Sequence, residues 1–141
     1  MKIAHVLSLI MLALLLLLAG IGYQRFQGDA GVGKLLAENN CGVCHDMTSK
    51  RKHSKGPYLW EIYRRPAGVV DFPFSPAFRK LAEEQPFLWD DEHLERWLTN
   101  PLAFIPQTKM AQNSKDHPIS FDGIQSSGNR KDLITYLKSL Q

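Results

Sequence analysis

The residues with the most reactive side chains stand in one short run, "CGVCH", at positions 41 to 45. Cys41 and Cys44 are the two cysteines of the 141-residue chain, and His45 follows the second one directly. Two thiols separated by two residues can form a disulfide, act as a redox pair, bind zinc or, together with a following histidine, attach a haem covalently. These four chemistries place different demands on the surrounding sequence.

A disulfide and a zinc site both fit the surrounding sequence poorly. A disulfide across two residues can form in an oxidising compartment, but it gives His45 no role. A structural zinc ion needs four ligands, usually from a second cysteine pair. The chain has no second pair, and His53 alone would not complete the set.

The segment before the motif argues against a thioredoxin-like redox pair, which would lie between a strand and a helix. The run "AGVGKLLAENN" at positions 30–40 predicts a helix instead, with Asp29 as its N-cap. Val32, Leu35 and Leu36 share the apolar face of this predicted helix.

Covalent haem attachment uses all three residues of the motif. The thiols of Cys41 and Cys44 add to the two vinyl groups of the haem, and His45, held beside them, becomes an axial ligand of the iron. In bacteria this reaction takes place outside the cytoplasm, so it requires an exported chain.

The N-terminal segment provides the export signal. Residues 6–22, "VLSLIMLALLLLLAGIG", carry no charge, with Lys2 before them and Arg25 after them. At about 1.5 Å per residue the run is close to the minimum that spans a bilayer core of about 30 Å. The candidate cleavage sites lack a suitable small-residue pattern, so we predict a retained anchor, with a cleaved signal peptide as the alternative.

The chain therefore divides into a transmembrane helix over residues 1–22, a short linker over 23–28 and one domain over 29–141. The formal net charge of the whole chain is +3. The densest basic run, "SKRKHSK" at positions 49–55, is predicted to be a solvated loop. There is no basic block of the kind that binds nucleic acid, so we expect no nucleic-acid partner.

The remaining segments predict further helices. Ser75 and Pro76 are typical of an N-cap and a first helical residue. The run "DDEHLERWL" places acids in the first turn of another helix, where the helix dipole favours them. A last helix is predicted to begin after Asn129 as N-cap. Its apolar face consists of Leu133, Ile134, Leu137 and Leu140.

The second axial ligand is inferred by elimination among the four methionines. An electron carrier fills this position with Met or His, whereas an enzyme or a gas sensor leaves it open. Met1 and Met11 lie in the apolar segment, and Met47 follows His45 too closely to reach the opposite face of a haem. Met110 is the candidate that is left.

With these motifs in order along the chain, the sequence resembles class I cytochrome c from residue 28 to its end. The resemblance is carried by "GDAGVGKLLAENNCGVCH", "KGPYLWEIYRR", "LWDDEHLERWLTNPLAFIPQTKM" and "RKDLITYLK". It implies an α-helical fold around one covalently bound haem c.

The resemblance also assigns roles to residues around the haem. Pro57 matches the proline whose carbonyl accepts a hydrogen bond from the histidine ring, here His45. Arg65 and Trp89 match groups that bind a buried haem propionate. Thr108 matches the threonine that precedes the methionine ligand, and Met110 matches that ligand. Gly33 and Tyr136 match the close crossing of the first and last helices of the domain.

The sequence departs from the family pattern at several of these positions. Ala37 replaces an aromatic residue at the helix crossing, which we expect to be looser or repacked. Arg64 and Gln107 stand where glycine is usual. Trp97 replaces a tyrosine near the methionine sulfur and also fits a helix core, and Phe74 replaces a tyrosine that binds a propionate.

About nine extra residues, including "QNSKDHPIS", follow Met110. This insertion is interpreted as a tolerated surface loop, with a partner-recognition element as the alternative. Its His117 is a substitute axial ligand should Met110 not serve.

The function implied by these observations is one-electron transfer, not enzymatic catalysis. The expected donor is a quinol-oxidising complex or a dehydrogenase, and the expected acceptor is an oxidase or a reductase. The haem domain is expected on the periplasmic side of the inner membrane, behind a single span, as a tethered carrier or a fixed relay subunit. A soluble periplasmic carrier and a haem peroxidase or gas-binding protein are the alternatives.

Overall fold

A computed structural model describes residues 2–111 and 120–141. Within these ranges the chain forms helices, and its backbone makes a single isolated antiparallel bridge between Pro66 and Leu88. The predicted all-α fold is therefore confirmed for the described residues. The elements are α1 (Lys2–Gln27), α2 (Ala30–Asn40), α3 (Pro76–Glu84), α4 (Asp91–Thr99), α5 (Pro101–Phe104), a 3-10 turn (Lys109–Ala111) and α6 (Ser127–Ser139).

Helix α1 is apolar, and among the described residues only its C-terminal end contacts the rest of the chain, at α6. Its segment Ile3–Gly22 has a mean hydropathy of 2.6 and none of it is buried, so it is long and apolar enough to cross a membrane. A signal sequence has the same properties. The helix does not end at the predicted boundary but continues through Gln27, so the predicted linker is helical except for Gly28. Gly28, which follows the helix directly, has φ of +80°, the left-handed conformation in which helices commonly end.

Helix α2 begins as predicted but buries a different face. The Asp29 carboxylate accepts hydrogen bonds from the N–H groups of Gly31 and Val32, at 2.7 and 3.1 Å. Val32 and Leu35, however, are 42% and 60% exposed. The predicted apolar face of α2 is thus not the buried one.

The buried face of α2 consists of small residues, because α6 crosses it at backbone distance. Gly33 and Ala37 are the buried residues of the helix. A Cβ atom on Gly33 would lie 2.0 Å from the Asp132 carbonyl oxygen and 2.9 Å from the Cβ of Tyr136. The crossing is therefore close at Gly33, and the looser packing expected from Ala37 is not found.

Helix α6 starts three residues earlier than its predicted first residue. Ser126, not Asn129, is the N-cap, and its hydroxyl accepts a hydrogen bond from the Asn129 N–H at 3.3 Å. The predicted apolar face is confirmed, because its four residues are all at most 6% exposed. These residues are Leu133, Ile134, Leu137 and Leu140.

Helices α3 and α4 have the predicted start signals. Ser75 accepts a hydrogen bond from the Phe78 N–H at 3.2 Å, with Pro76 as the first helical residue. Asp90 caps α4 by accepting from the His93 N–H at 3.0 Å. The core formed by these helices includes stacked aromatic side chains, of which Phe74 and Phe78 have ring centroids 4.5 Å apart.

Replacement of Gly33 by alanine is expected to destabilise the domain by about 3 kcal/mol, the upper end of the cost of overpacking, because the new methyl group meets backbone that cannot move aside. Thermal unfolding measured by circular dichroism tests this. Gly128→Ala in α6 is the matched control, since its nearest atom lies 3.7 Å away. Equal unfolding temperatures for the two variants would contradict the close crossing.

Candidate functional site

A cavity of about 580 Å³ lies between α2, α4, α6 and the loops that connect them. This volume falls within the range of about 300–1,000 Å³ that is typical of ligand and cofactor sites. The structure brings all nine sequence-predicted site residues to its wall. They are Cys41, Cys44, His45, Pro57, Arg65, Trp89, Trp97, Thr108 and Met110.

The end of α2 presents the two thiols to this cavity. The Cys41 N–H donates to the Ala37 carbonyl at 2.8 Å, and the N–H groups of Cys44 and His45 donate to the Cys41 carbonyl at 3.0 and 2.9 Å. These bonds fold residues 41–45 into a compact turn. Both cysteines are free thiols, Cys41 buried and Cys44 half-buried.

Burial keeps the Cys41 thiol protonated. Burial, with a smaller contribution from Cys44, raises the pKa of the Cys41 thiol to about 11. The group is therefore a neutral thiol at pH 7, which disfavours disulfide exchange, since that reaction uses the thiolate.

The His45 ring is held in one orientation by the segment that follows the motif. Its Nδ1 lies 2.6 Å from the Pro57 carbonyl oxygen. Since a carbonyl can only accept, Nδ1 carries the proton and Nε2 keeps its lone pair for a metal. Burial lowers the pKa of His45, and the bond to Pro57 opposes this only in part. The ring is therefore neutral at pH 7, as a metal ligand must be.

Gly56 is a site residue that the sequence analysis did not single out. It is buried, and a Cβ atom on it would lie 2.3 Å from Cε1 of His45. Its N–H donates to the Cys44 carbonyl at 2.8 Å, which joins the two segments behind the ring. Its position directly before Pro57 in "KGPYLW" was the sequence feature that could have indicated its role.

Three hydrogen-bond donors at the cavity have spare capacity. The half-buried Arg65 guanidinium donates to the carbonyls of Tyr58 and Trp60, at 2.8 and 3.1 Å, and to no carboxylate of the described residues. The hydrogen bonds of residues 2–111 and 120–141 also include none from the Trp89 indole N–H or the Thr108 hydroxyl. These donors fit a ligand that carries carboxylate groups.

Arg65 and Trp89 are neighbours because their backbones pair. The Trp89 N–H donates to the Arg65 carbonyl at 3.0 Å, and the Arg64 N–H donates to the Trp89 carbonyl at 3.0 Å. This short antiparallel backbone contact thus places the charged guanidinium of Arg65 and the neutral indole N–H of Trp89 in the same part of the cavity wall.

Met110 approaches the cavity from the 3-10 turn Lys109–Ala111. Its carbonyl accepts from the Phe121 N–H at 3.1 Å, which joins the two ends of the inserted segment. Met47 instead packs against the core and is not part of the cavity wall. The prediction for His117 and most of the insertion concerns residues 112–119, which lie outside the described residues.

Trp97 lies between the cavity and the helix core. It lines the cavity and also packs in the core, with its ring 5.6 Å from that of Trp89 and 6.1 Å from that of Phe104. Leu94 and Leu98 on the same face of α4 are 3% and 4% exposed, which confirms the predicted helix core.

Comparison with known proteins agrees with this site. No protein-family model matches the chain. The chain is similar to a cytochrome c of Euglena viridis, with 37% identity over 115 residues that cover 81% of this chain and 99% of that protein. A cytochrome c of Theileria parva is 33% identical over 112 residues, or 79% of this chain and 86% of the relative. A cytochrome c homolog of Rickettsia felis is 34% identical over 112 residues, or 79% of this chain and 56% of that longer protein.

The chain therefore belongs to the cytochrome c family, as its motifs predicted. Family membership indicates electron transfer, a haem cofactor and redox proteins as partners.

Replacement of Gly56 by alanine is expected to displace the His45 ring, because the added methyl group would overlap it. The bond to Pro57 would then weaken, and the ferric protein should acquire a high-spin component in its absorption spectrum. Gly128→Ala, which is remote from the cavity, should leave the spectrum unchanged. A purely low-spin Gly56→Ala protein would show that the ring does not depend on this glycine.

Proposed function

We propose that the chain is a membrane-anchored mono-haem cytochrome c that transfers single electrons. In this proposal Cys41 and Cys44 bind the haem through thioether bonds, and His45 and Met110 are the axial ligands of its iron. The observation that carries the proposal is that the covalent-attachment motif, the oriented His45 ring and Met110 line one largely apolar cavity. When bound, the haem supplies a one-electron ferric–ferrous couple.

The two proposed iron ligands would prevent other molecules from binding to the iron. A haem iron held by both His45 and Met110 would have no coordination position left for a substrate or a gas. This argues against the peroxidase and gas-binding alternatives. The thioether sulfur of Met110 also raises the reduction potential relative to a second histidine.

The residues of the cavity wall would adjust the reduction potential of this couple. Apolar side chains such as Leu94, Leu98 and Phe78 exclude water, and a low local dielectric disfavours the more highly charged oxidised state. Arg65 would supply a positive charge for a carboxylate of the cofactor, and Trp89 and Thr108 would supply further hydrogen-bond donors.

The N-terminal helix decides where the transfer takes place. With α1 retained as a single inner-membrane span, Lys2 stays on the cytoplasmic side and the haem domain lies in the periplasm. The partners of the proposal are a quinol-oxidising complex or dehydrogenase as donor and an oxidase or reductase as acceptor.

Covalent attachment is tested by extraction with acid acetone. Haem from the wild-type protein, produced in a host that matures c-type cytochromes, is expected to stay with the polypeptide. The double variant Cys41→Ala, Cys44→Ala should lose all covalent haem, as judged by haem-stained denaturing gels. Release of haem from the wild-type protein would exclude the proposed attachment.

Axial ligation is tested with the two methionines of the domain. Met110→Ala should remove the sulfur-to-iron charge-transfer band of the ferric protein, lower the potential and allow cyanide to bind rapidly, because it opens the sixth position. Met47→Ala is the control: it truncates a half-buried methionine away from the cavity wall and should change none of these. An unaltered ferric spectrum in Met110→Ala would remove Met110 from the ligand set.

A further inference from the structure

The corner between α1 and α2 is two residues long and is built against α6. Gly28 ends α1 and Asp29 caps α2. The Thr135 Oγ1 lies 2.9 Å from the Gln27 carbonyl oxygen and 2.9 Å from the Lys131 carbonyl oxygen, so its single hydrogen is shared between a free carbonyl at the end of α1 and the backbone of α6. The Asp29 N–H donates to Oδ1 of Asp132 at 2.7 Å. Two hydrogen bonds therefore tie the corner to successive turns of α6.

Steric contact restricts the corner further. Gly28 has φ of +80°, and a Cβ atom on it would lie 2.5 Å from Thr135 Oγ1 and 3.0 Å from the Lys131 carbonyl oxygen. The backbone of Gly28 thus lies directly on α6, in a conformation that side chains disfavour. A flexible linker would not need a glycine in close contact with α6.

Helix α6 contacts both the corner and the cavity. α6 crosses α2 at backbone distance at Gly33, and α2 ends at Cys41 in the cavity wall. Leu137 of α6 lines the cavity as well. Helix α1 and the candidate haem site are therefore connected by packed helices.

We infer that this corner is a rigid joint that holds the haem domain at one height and one orientation above the membrane. The electron partners that fit this arrangement are proteins bound to the same membrane, with redox centres at the matching height. The inference rests on the proposed function and adds the kind of partner to it.

The length of α1 is consistent with such a joint. Five helical residues separate Gly22, the end of the apolar segment, from Gly28, and they rise about 8 Å. The polar headgroup layer on one side of a bilayer is about 5–8 Å thick. The corner would thus lie at the outer edge of the headgroups, with the domain directly above. A fully extended linker of six residues would instead reach about 20 Å in any direction.

The joint is tested by the orientation of the haem in stacked membranes. The g tensor of a low-spin ferric haem is anisotropic, so the EPR spectrum of oriented multilayers depends on their angle to the field when the haem has a fixed orientation. The full chain is reconstituted in phospholipid bilayers for this measurement. Four Gly and Ser residues are inserted between Gln27 and Gly28 in one variant, and a second combines Thr135→Val with Asp132→Ala. Thr135→Ser, which keeps the hydroxyl, is the matched control.

The wild-type protein and Thr135→Ser should show a clear angular dependence, which the insertion abolishes and the double variant weakens. In native membranes the insertion should also slow haem oxidation by the membrane-bound acceptor severalfold, while oxidation by ferricyanide in solution stays the same. An isotropic wild-type spectrum, or an angular dependence that survives the insertion, would overturn the joint and leave electron transfer intact. A wild-type chain without low-spin covalent haem, or absent from the membrane fraction, would overturn the proposed function first.

Discussion

The close crossing of α2 and α6 at Gly33 is the constraint on which the rest of the structure depends. Because backbone meets backbone there, no flexible side chain can absorb a change in the angle or distance between the helices. The crossing sets the position of Cys41 at the end of α2 and of Leu137 in the cavity wall. It also places Thr135 of α6 beside the end of α1. One contact between two short helices thus relates the N-terminal helix, the attachment motif and the cavity.

The chemistry of the site was more predictable from sequence than its packing. Thioether attachment requires two thiols and a histidine at fixed local spacing, so the motif is visible in five letters, and all nine site residues inferred with the help of family resemblance do line one cavity. The buried face of α2 was not predictable in the same way. Periodicity tells which residues share a face, but not which face is buried. Gly33 and Ala37 are buried instead of Val32 and Leu35 because the partner helix approaches too closely for large side chains. The end of α1 was missed for a similar reason, since the contacts of Gly28 come from α6, a hundred residues away.

Two departures from the family pattern have a conformational meaning. Arg64 and Gln107, which replace usual glycines, have φ of 60° and 64°. A non-glycine residue in this region costs on the order of 1 kcal/mol, so the chain adopts these two left-handed conformations at a small cost in stability. Both residues directly precede a cavity residue, Arg65 in one case and Thr108 in the other. The left-handed turns therefore aim the neighbouring side chains at the cavity, and the fold maintains them even without glycine.

The size of the cavity couples the fold to its cofactor. Without a cofactor, a volume near 580 Å³ would leave apolar side chains of several helices without packing partners. A small domain has a free energy of unfolding of only about 5–15 kcal/mol to offset such a loss. The surrounding helices are short, and each depends on packing against side chains that also line the cavity, such as Phe78, Leu98 and Leu137. A bound haem would fill this space and join α2, through the thioether bonds of Cys41 and Cys44, to the Met110 turn on the opposite side. The group that carries the electron would then also supply much of the core that keeps its own ligands in place.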